Sequence, residues 1–262
     1  AATAVTHSVA IGTTAMSGVT TGTAHCNIAI GFDSLKGDSN TVGASNVAIG
    51  SFAAASITTG KCNVAIGDNA MEATQSGCLN VAIGNVALGG AAVTGLNNIA
   101  IGTNAGDAMT SGHCNIAMGI NALGVSTTGQ LNIAIGRTAM GAADTTGNHN
   151  LAIGSAAMDA LTTGACNIAL GLASLGAATT GCQNIAIGDS AMGGADTTGI
   201  YNIAIGSAAA DAIAAGHYNI AIGQNAYGAG TTGQRNVAIG NHALGTGVVE
   251  GNYNVAIGDD AG

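Results

Sequence analysis

The chain has no proline and no tryptophan, and it has very few aromatic or charged residues. Of its 262 residues, 2% are aromatic and 6% are charged. Aromatic side chains supply much of the buried surface of ordinary globular cores, so the sequence excludes a thick core of that kind. The hydrophobic residues make up 47% of the chain, are mostly Ala, Ile, Val and Leu, and are spread evenly along it. This distribution favours a thin core that is buried by stacking of repeats.

Basic residues are scarce as well. The chain contains four of them: Lys36, Lys61, Arg137 and Arg235. With 13 acidic residues the formal net charge is -9, which argues against a nucleic-acid partner because phosphate binding needs a clustered basic face. The acidic residues are scattered, and we expect neither a metal site nor a cofactor. The apolar runs are far shorter than the roughly 20 residues that cross a bilayer, so we also expect no membrane span and no retained signal peptide.

One five-residue segment, Asn27-Ile28-Ala29-Ile30-Gly31, recurs along the whole chain. Its fifteen copies end at Gly12, Gly31, Gly50, Gly67, Gly84, Gly102, Gly119, Gly136, Gly154, Gly171, Gly188, Gly206, Gly223, Gly240 and Gly258. The first two spacings between these glycines are longer than the others, and the spacings then follow the order 17, 17 and 18, which produces a 52-residue super-repeat. We therefore expect a single repeat domain over 1–262, with irregular coils over 1–45 and regular coils over 46–262.

The alternation of residue types within the segment predicts a β-strand. Its second and fourth residues share one face, and we expect these branched side chains to face a core while the invariant Ala packs against another layer or another chain. After the closing glycine, a small residue followed by Leu or Met, as at Ala70 and Met71, predicts a second short strand. A Thr-Thr-Gly turn, as at Thr58-Thr59-Gly60, predicts the next corner.

These features favour an all-β fold, a parallel β-solenoid of about fifteen coils of 17–18 residues with a three-coil super-repeat. A hairpin array is the competing β arrangement, and a helical repeat is disfavoured by the glycines and by the period of two. With one coil per repeat the rod would be on the order of 70 Å long, given the strand spacing of a sheet. A 52-residue triangular turn would instead give a ring of roughly 24 Å.

The repeated Asn is the residue most informative about stacking. Its side-chain amide can bond to the Asn of the rungs above and below, and the alternative is that Asn only tolerates a turn. The expected ladder consists of Asn27, Asn46, Asn63, Asn80, Asn98, Asn115, Asn132, Asn150, Asn167, Asn184, Asn202, Asn219, Asn236 and Asn254.

Cysteines and histidines occupy the variable positions just before the repeated Asn. The paired cysteines are spaced one residue short of a coil, which makes inter-rung disulfides Cys62–Cys78 and Cys166–Cys182 feasible, with Cys26 and Cys114 free or paired to other chains. The alternative is that these cysteines were copied by duplication without pairing. The histidines at these positions are His25, His113, His149 and His217. The positions tolerate many residue types, so we expect exposed histidines and no catalytic residue.

The phrase Asn-Val-Ala-Ile-Gly, followed by small residues and Thr-Thr-Gly, resembles the head repeats of trimeric autotransporter adhesins and the repeats of phage tail fibres and bacterial surface fibres. The resemblance covers nearly the whole chain. It implies a left-handed parallel β-roll, usually trimeric, that is exposed outside the cell or on a virion and serves in adhesion or as a shaft. The expected function is therefore a non-enzymatic structural subunit of an extracellular fibre or surface appendage, with adhesion to a surface receptor and a receptor-binding tail-fibre shaft as related possibilities.

Two further expectations concern assembly and an alternative function. The partial repeats at Ala1–His7 and Gly258–Gly262 would complete a coil between two copies, which predicts an end-to-end homopolymer, with an excerpt of a longer protein as the alternative. Successive Thr-Thr-Gly corners could instead form an ice-binding hydroxyl column. That pattern offers one outward Thr per corner and lapses at Val93, Ala214-Ala215 and Val249-Glu250.

Overall fold

A computed structural model describes residues 7–19, 24–37, 43–245 and 250–262. The predicted irregular coils over 1–45 lie partly outside the described residues. The N-terminal Ala1–Thr6 segment and Val249 lie wholly outside them. All regular structure in the described residues consists of three-residue strands. The chain divides into two compact units, Ala1–Gln130 and Leu131–Gly262.

The first unit is a parallel β-solenoid. It contains the strands β1 (Val9–Ile11), β2 (Ile28–Ile30), β3 (Val47–Ile49), β4 (Val64–Ile66), β5 (Val81–Ile83), β6 (Ile99–Ile101) and β7 (Ile116–Met118). Each strand pairs in parallel with the next one along the chain, and Ala65 lies opposite Ala48 on one side and Ala82 on the other. Like residues of neighbouring repeats therefore lie beside one another.

The second unit has the same construction. Its strands are β8 (Ile133–Ile135), β9 (Leu151–Ile153), β10 (Ile168–Leu170), β11 (Ile185–Ile187), β12 (Ile203–Ile205), β13 (Ile220–Ile222), β14 (Val237–Ile239) and β15 (Val255–Ile257). Ala186 lies opposite Ala169 and Ala204, one repeat away in each direction. The prediction of an all-β parallel solenoid with one repeat per coil is confirmed, and the 52-residue turn is wrong because neighbouring repeats pair directly.

On the strand side, the core of each coil is lined by the central Ala of each strand. The branched residues on either side of this Ala do not line the core. Ala186 is fully buried, whereas Ile187 is 36% exposed and Ile185 is partly exposed. The expectation that the branched residues face the core is therefore wrong, and so is the expectation that Ala packs against another chain. The interior is narrow: a Cβ atom added to Gly106, on the opposite wall, would lie 3.7 Å from the Cβ of Ala100. The strand Ala therefore lies within van der Waals distance of the opposite wall at this rung.

The segment after the closing glycine is a series of turns, so the predicted second strand is also wrong. Asn69 (φ 56°) and Met71 (φ 54°) adopt the left-handed conformation, and so does Leu79 (φ 59°) before the next strand. L residues rarely adopt this conformation, at a cost of about 1–2 kcal/mol each. Their backbone N–H groups bond to neighbouring rungs, for example Met71 N–H to the Ala87 carbonyl at 2.9 Å. The stacking of rungs thus holds a strained path in place.

The closing glycine is required by both its backbone angle and its neighbours. Gly67 has φ +133°, and a Cβ atom there would lie 2.4 Å from the carbonyl oxygen of Gly84 in the next rung. Any other residue would collide with the backbone of its neighbour. This contact explains why the glycine recurs in every copy of the segment.

In the 17-residue repeats the large core side chains come from two positions three residues apart, and in several of these rungs their sizes compensate. Where the first position is small, the second is large, as with Ala210 and Ile213. Leu175 and Ala178 show the opposite order. Tyr227 is the extreme case, because its ring occupies the space over Gly230, where a Cβ atom would lie 2.3 Å from ring atoms. Met158 and Leu161, in contrast, are both large and buried, so the compensation does not hold in every rung.

The 18-residue repeats accommodate their extra residue by shifting the Thr-Thr-Gly corner. In the 17-residue repeat that contains Leu161, this residue is buried and Thr162 and Thr163 follow it on the outside. In two of the 18-residue repeats the first Thr, Thr145 or Thr197, is itself buried, and the hydroxyl of Thr197 donates to the Ile213 carbonyl at 3.0 Å. The same Thr-Thr-Gly sequence therefore occupies two different positions in the coil. In the part of the chain that the structure describes, no helix is long and apolar enough to cross a membrane.

Candidate functional site

The most extensive chemical feature of each unit is its exposed strand face, which we define as the second and fourth residues of the repeated segment. In β12 these residues are Ile203 and Ile205, and Ile205 is 38% exposed. The described strands carry branched or unbranched aliphatic residues at both positions, without a charged residue among them. Parallel pairing aligns these side chains into two continuous apolar columns per unit. Contiguous patches of this kind usually mark interaction surfaces.

The buried side of the same strands carries the Asn ladder. Asn63 accepts the backbone N–H of Asn80 on its Oδ1 at 3.0 Å, and its Nδ2 donates to the Gly77 carbonyl at 2.8 Å and to the Asn46 Oδ1 at 3.1 Å. Asn184 makes the equivalent bonds in the second unit, to the Asn202 N–H and the Gly199 carbonyl. These side chains are buried, so they satisfy backbone groups that water does not reach.

The ladder extends over the repeats of each unit. Hydrogen bonds join Asn27, Asn46, Asn63, Asn80, Asn98 and Asn115 in the first unit, and Asn132, Asn150, Asn167, Asn184, Asn202, Asn219, Asn236 and Asn254 in the second. In the first copy, where Ser8 replaces Asn, the serine hydroxyl accepts the Asn27 N–H at 3.1 Å. The corner glycine makes room for the ladder, since a Cβ atom on Gly77 would lie 2.9 Å from the Nδ2 of Asn80.

The residue directly before each ladder Asn forms a third exposed column, which we call the flanking column. Exposure alternates along the chain here: Cys62 is exposed, Asn63 is buried and Val64 is partly exposed. The flanking column therefore lies beside the exposed strand face. All of its described members have φ near +60° without being glycine, as at Cys62 (58°) and Leu131 (57°). The sequence does not predict this left-handed conformation, because many different residue types occur at this position.

Four neighbouring members of the flanking column in the second unit stack on one another. The rings of Tyr201 and Tyr218 are parallel within 7° at a centroid distance of 5.0 Å. The guanidinium of Arg235 lies 5.4 Å from the centroid of Tyr218 and 5.5 Å from that of Tyr253. Arg235 also donates to the Tyr253 hydroxyl at 2.9 Å. Because the ring faces contact one another, a flat ligand cannot stack between them. The contacts instead stabilise the left-handed backbone conformation of these four residues.

The six cysteines are free thiols and fall into two groups. Cys26, Cys62, Cys114 and Cys166 belong to the flanking column and are exposed. Cys78 and Cys182 lie one position earlier in their repeats and are partly buried. The structure therefore does not contain the feasible bridges Cys62–Cys78 and Cys166–Cys182.

Histidines take part in rung-to-rung bonding at two places. The Nδ1 atoms of His113 and His217 accept backbone N–H groups of the preceding rung, from Leu96 and Ile200, each at 3.0 Å. This acceptor role places the ring proton of the neutral imidazole on Nε2. Among the described residues, no group of three or more His, Cys, Asp or Glu could hold a metal ion. The observed role of His113 and His217 is structural.

The hydroxyl groups of the Thr corners are directed along the solenoid. Thr162 Oγ1 donates to the Thr179 carbonyl at 3.0 Å, and Thr110 Oγ1 donates to the Thr127 carbonyl at 3.1 Å. Thr58 makes the same bond to the carbonyl of Gln75 at 3.1 Å. These hydroxyl protons are therefore used within the protein and are not presented to solvent.

Three aspartates at 52-residue intervals follow the 18-residue repeats: Asp107, Asp159 and Asp211. Within the described residues, the Oδ1 atom of each is buried without a hydrogen-bond partner. Asp107 packs against Gly90, where a Cβ atom would lie 2.4 Å from this oxygen. Burial raises the pKa of the Asp107 carboxyl, and the smaller influence of the nearby Gly90 backbone N–H acts in the opposite direction.

Comparisons with protein-family models, curated proteins and solved structures find no match to this chain.

Proposed function

We propose that the protein is a non-enzymatic structural subunit of an extracellular fibre or surface appendage, and that copies associate laterally through the exposed strand face. The observation that carries this proposal is the orientation of the strands. Each repeat places Ala inward and two aliphatic residues outward, as in Ile203-Ala204-Ile205. A solenoid that stayed alone would gain solubility from polar residues at these outward positions.

The exposed area is large enough for such a contact. Each unit has seven or eight strands with two aliphatic side chains each, and several of these side chains are 36–39% exposed. Together they present several hundred Å² of contiguous apolar surface, on the order of the largest patches found on soluble proteins. A stable interface buries roughly 800 Å² per partner, which the face and its flanking column could supply together.

The interior of the coils supports a structural role in a different way. Every described ladder Asn joins its rung to its neighbours, and the strained turns are held by backbone bonds between rungs. Few sites offer Lys or Arg to trypsin-like proteases, since the chain has four such residues. Rigidity and a repeated outer surface are the properties a fibre subunit needs.

Extracellular location and adhesion are parts of the same proposal. The resemblance to adhesin heads and tail-fibre shafts supports them, as does the presence of six cysteines, which an oxidising environment would allow to cross-link. End-to-end assembly stays a prediction, and electron micrographs of the purified protein at rising concentration would test it. Filaments that lengthen with concentration are expected.

Sedimentation velocity in reducing buffer tests lateral association. We expect wild-type protein to form oligomers, and we expect Ile205→Lys to dissociate them because it places a charge in the apolar column. Thr180→Lys is the matched control, since Thr180 is exposed at the corner away from the strand. Circular dichroism would verify that both variants fold. A wild-type protein that stays monomeric at all concentrations, or an I205K variant that associates normally, would contradict the proposal.

Ice binding is less well supported by this geometry. The corner hydroxyls of Thr58, Thr110 and Thr162 donate to carbonyls of the next rung, so one of the two hydroxyls at each of these corners is used within the protein. We expect no thermal hysteresis from the purified protein. A clear hysteresis gap that disappears in Thr163→Lys would favour ice binding instead.

A further inference from the structure

The residues two positions before each ladder Asn, directly ahead of the flanking column, form a further column that we call the bridging column. At several places the backbone N–H of one bridging residue donates to the side chain of the bridging residue in the next rung. The accepting atoms are thiol sulfurs, imidazole nitrogens and an amide oxygen. The pairs are Lys61 to Cys78 at 3.3 Å, Leu96 to His113 at 3.0 Å, Ala165 to Cys182 at 3.4 Å, Ile200 to His217 at 3.0 Å and Gln234 to Asn252 at 2.7 Å.

The accepting groups of the bridging column differ in how they respond to acid. A thiol and a carboxamide gain no proton as the solution is acidified, whereas imidazole becomes charged between about pH 8 and 5. His113 and His217 accept through Nδ1, which is the nitrogen that takes up the added proton. An imidazolium ion carries a proton on both ring nitrogens and accepts no hydrogen bond. Protonation therefore removes these two bonds and places two N–H donors against each other, while the bonds to Cys78 and Asn252 persist.

His113 lies in a part of the sequence with very few charges. Over 85–130 the only charged residue is Asp107, and the Cys114 thiol is the one other titratable group besides the histidine. The bridging residue of the preceding rung, Leu96, is apolar. Asp107 is therefore the single carboxylate of this stretch that could attract a charged His113.

His217 lies beside the stacked tyrosines of the flanking column. Its bond from the Ile200 N–H joins the two rungs that carry Tyr201 and Tyr218, whose ring centroids lie 5.0 Å apart. The following rung is held at the same place, since the Arg235 N–H donates to the His217 carbonyl at 3.0 Å. Loss of the bond to His217 therefore loosens the backbone that supports the stacked rings.

More charges surround His217 than His113. Arg235 is engaged with the ring of Tyr218, and Asp196 accepts from a hydroxyl of the preceding rung. The charged residues over 189–240 are Asp189, Asp196, Asp211 and Arg235, and the other titratable groups of this stretch are Tyr201, Tyr218 and Tyr227. His113 therefore offers the simpler test of how imidazole protonation acts on the bond.

We propose that the two histidine-accepted bonds of the bridging column are a pH-sensitive device. Each bond joins two rungs while its imidazole is neutral and breaks when His113 or His217 is protonated. The device belongs to the single chain and requires no contact between copies. Because the bridging column adjoins the flanking column, acidification loosens first the flanking residues next to the two histidines.

Hydrogen exchange of single amides, followed by NMR in dilute protein under reducing conditions, tests the device. The Leu96 and Ile200 amides donate to the histidines, while the Lys61 and Gln234 amides donate to groups that gain no proton on acidification. After correction for the intrinsic effect of pH, we expect protection of Leu96 and Ile200 to fall roughly two- to tenfold between about pH 7.5 and about pH 5, as one hydrogen bond is lost. The Lys61 and Gln234 amides should keep their protection. Equal changes at all four amides, or no change at any, would overturn the proposal.

Substitution by Asn keeps an acceptor at the bridging position without an imidazole, as Asn252 shows. In His113→Asn we expect the Leu96 amide to stay protected at about pH 5. His149→Asn is the matched control, because His149 is an exposed residue of the flanking column, and it should keep the wild-type loss at Leu96. An H113N variant that still loses the Leu96 protection on acidification would contradict the role of this imidazole.

Near-ultraviolet circular dichroism provides a second measurement, directed at His217. The chain has four Tyr and no Trp, so this signal reports mainly on tyrosine packing. We expect the wild-type signal to change reversibly on acidification as the stack of Tyr201 and Tyr218 loosens, and we expect His217→Asn to remove most of the change. A wild-type signal that is constant from about pH 7.5 to about pH 5, or a change of equal size in H217N, would overturn the device at His217.

Discussion

The inward and outward sides of each strand carry side chains of different size and surroundings. In β11, Ala186 is fully buried between the walls of the coil, while its neighbour Ile187 is 36% exposed. The inward side is closed by the molecule itself through Asn184 and the stacked turns. The outward side is apolar yet uncovered within the chain. The difference shows that hydrophobicity alone does not decide which side of a strand forms the core, since here the smaller side chain is the buried one.

The largest effect is expected from breaking the inward side at Asn184. Asn184→Ala leaves the Asn202 N–H and the Gly199 carbonyl buried without their partners. Each orphaned group costs about 1–3 kcal/mol, so we expect the free energy of unfolding to fall by about 2–6 kcal/mol. Denaturant titration measures this change. Ile187→Ala is the outward control, and a loss as large as that of N184A would contradict the comparison.

The next effect concerns the two compensating core positions. Ile213→Ala should destabilise by about 2–5 kcal/mol because it leaves a cavity. The double variant Ala210→Leu with Ile213→Ala reproduces the pair Leu175 and Ala178 of another 17-residue repeat. We expect it to recover most of the loss, with a coupling of about 0.5–3 kcal/mol in a double-mutant cycle. Additive effects of the two substitutions would show that the pair does not share one space.

A smaller loss is expected from enlarging the inward methyl group. Ala186→Leu should lower the free energy of unfolding by about 1–3 kcal/mol through overpacking of the narrow interior. Ile187→Leu, one residue away on the outward side, keeps the volume and should change it by less than about 1 kcal/mol. Thermal unfolding in dilute reducing buffer measures both. Equal effects would mean that the two sides are not distinguished by space.

The smallest effect is expected at Asp107, which lies between the buried and exposed regions. Its folded-state pKa is raised by burial, so its favourable contribution is complete below the unfolded pKa and is lost as pH rises through the folded pKa. At neutral pH, Asp107→Asn should therefore stabilise slightly, by a few tenths of a kcal/mol after discounting for solvent screening. The gain should vanish under acidic conditions. Asp259→Asn, at an exposed position, controls for the loss of one negative charge.

Much of the fold could be predicted from spacing. The recurrence of Asn and Gly once in every repeat indicates one coil per repeat, since the columns Asn63–Asn80 and Gly67–Gly84 require neighbouring repeats to stack. The alternation of residue types correctly grouped the second and fourth strand residues on one face. These predictions depend only on the spacing and alternation of residue types, which can be read directly from the sequence.

The direction of each face could not be predicted in the same way. The width of the coil interior depends on turns in which Met71 and Leu79 adopt left-handed angles, and neither residue type signals that conformation. Without knowledge of these turns, the alternation of residue types predicts that the branched residues lie inside. The same turns separate the partly buried Cys78 from the exposed column of Cys62, which the spacing of these cysteines in the sequence does not reveal. A signal was available in the invariance of Ala, since a position that never varies in size indicates confinement.

Thiol labelling of two neighbouring strand positions tests the account most directly. In a background with all six cysteines replaced by Ser, Ile203→Cys and Ala204→Cys place a single thiol on the outward or the inward side. We predict that the I203C thiol reacts in dilute protein and is protected in concentrated, associated protein, while the A204C thiol is protected in both. Faster labelling of A204C than of I203C, or labelling of I203C that does not depend on concentration, would contradict the account.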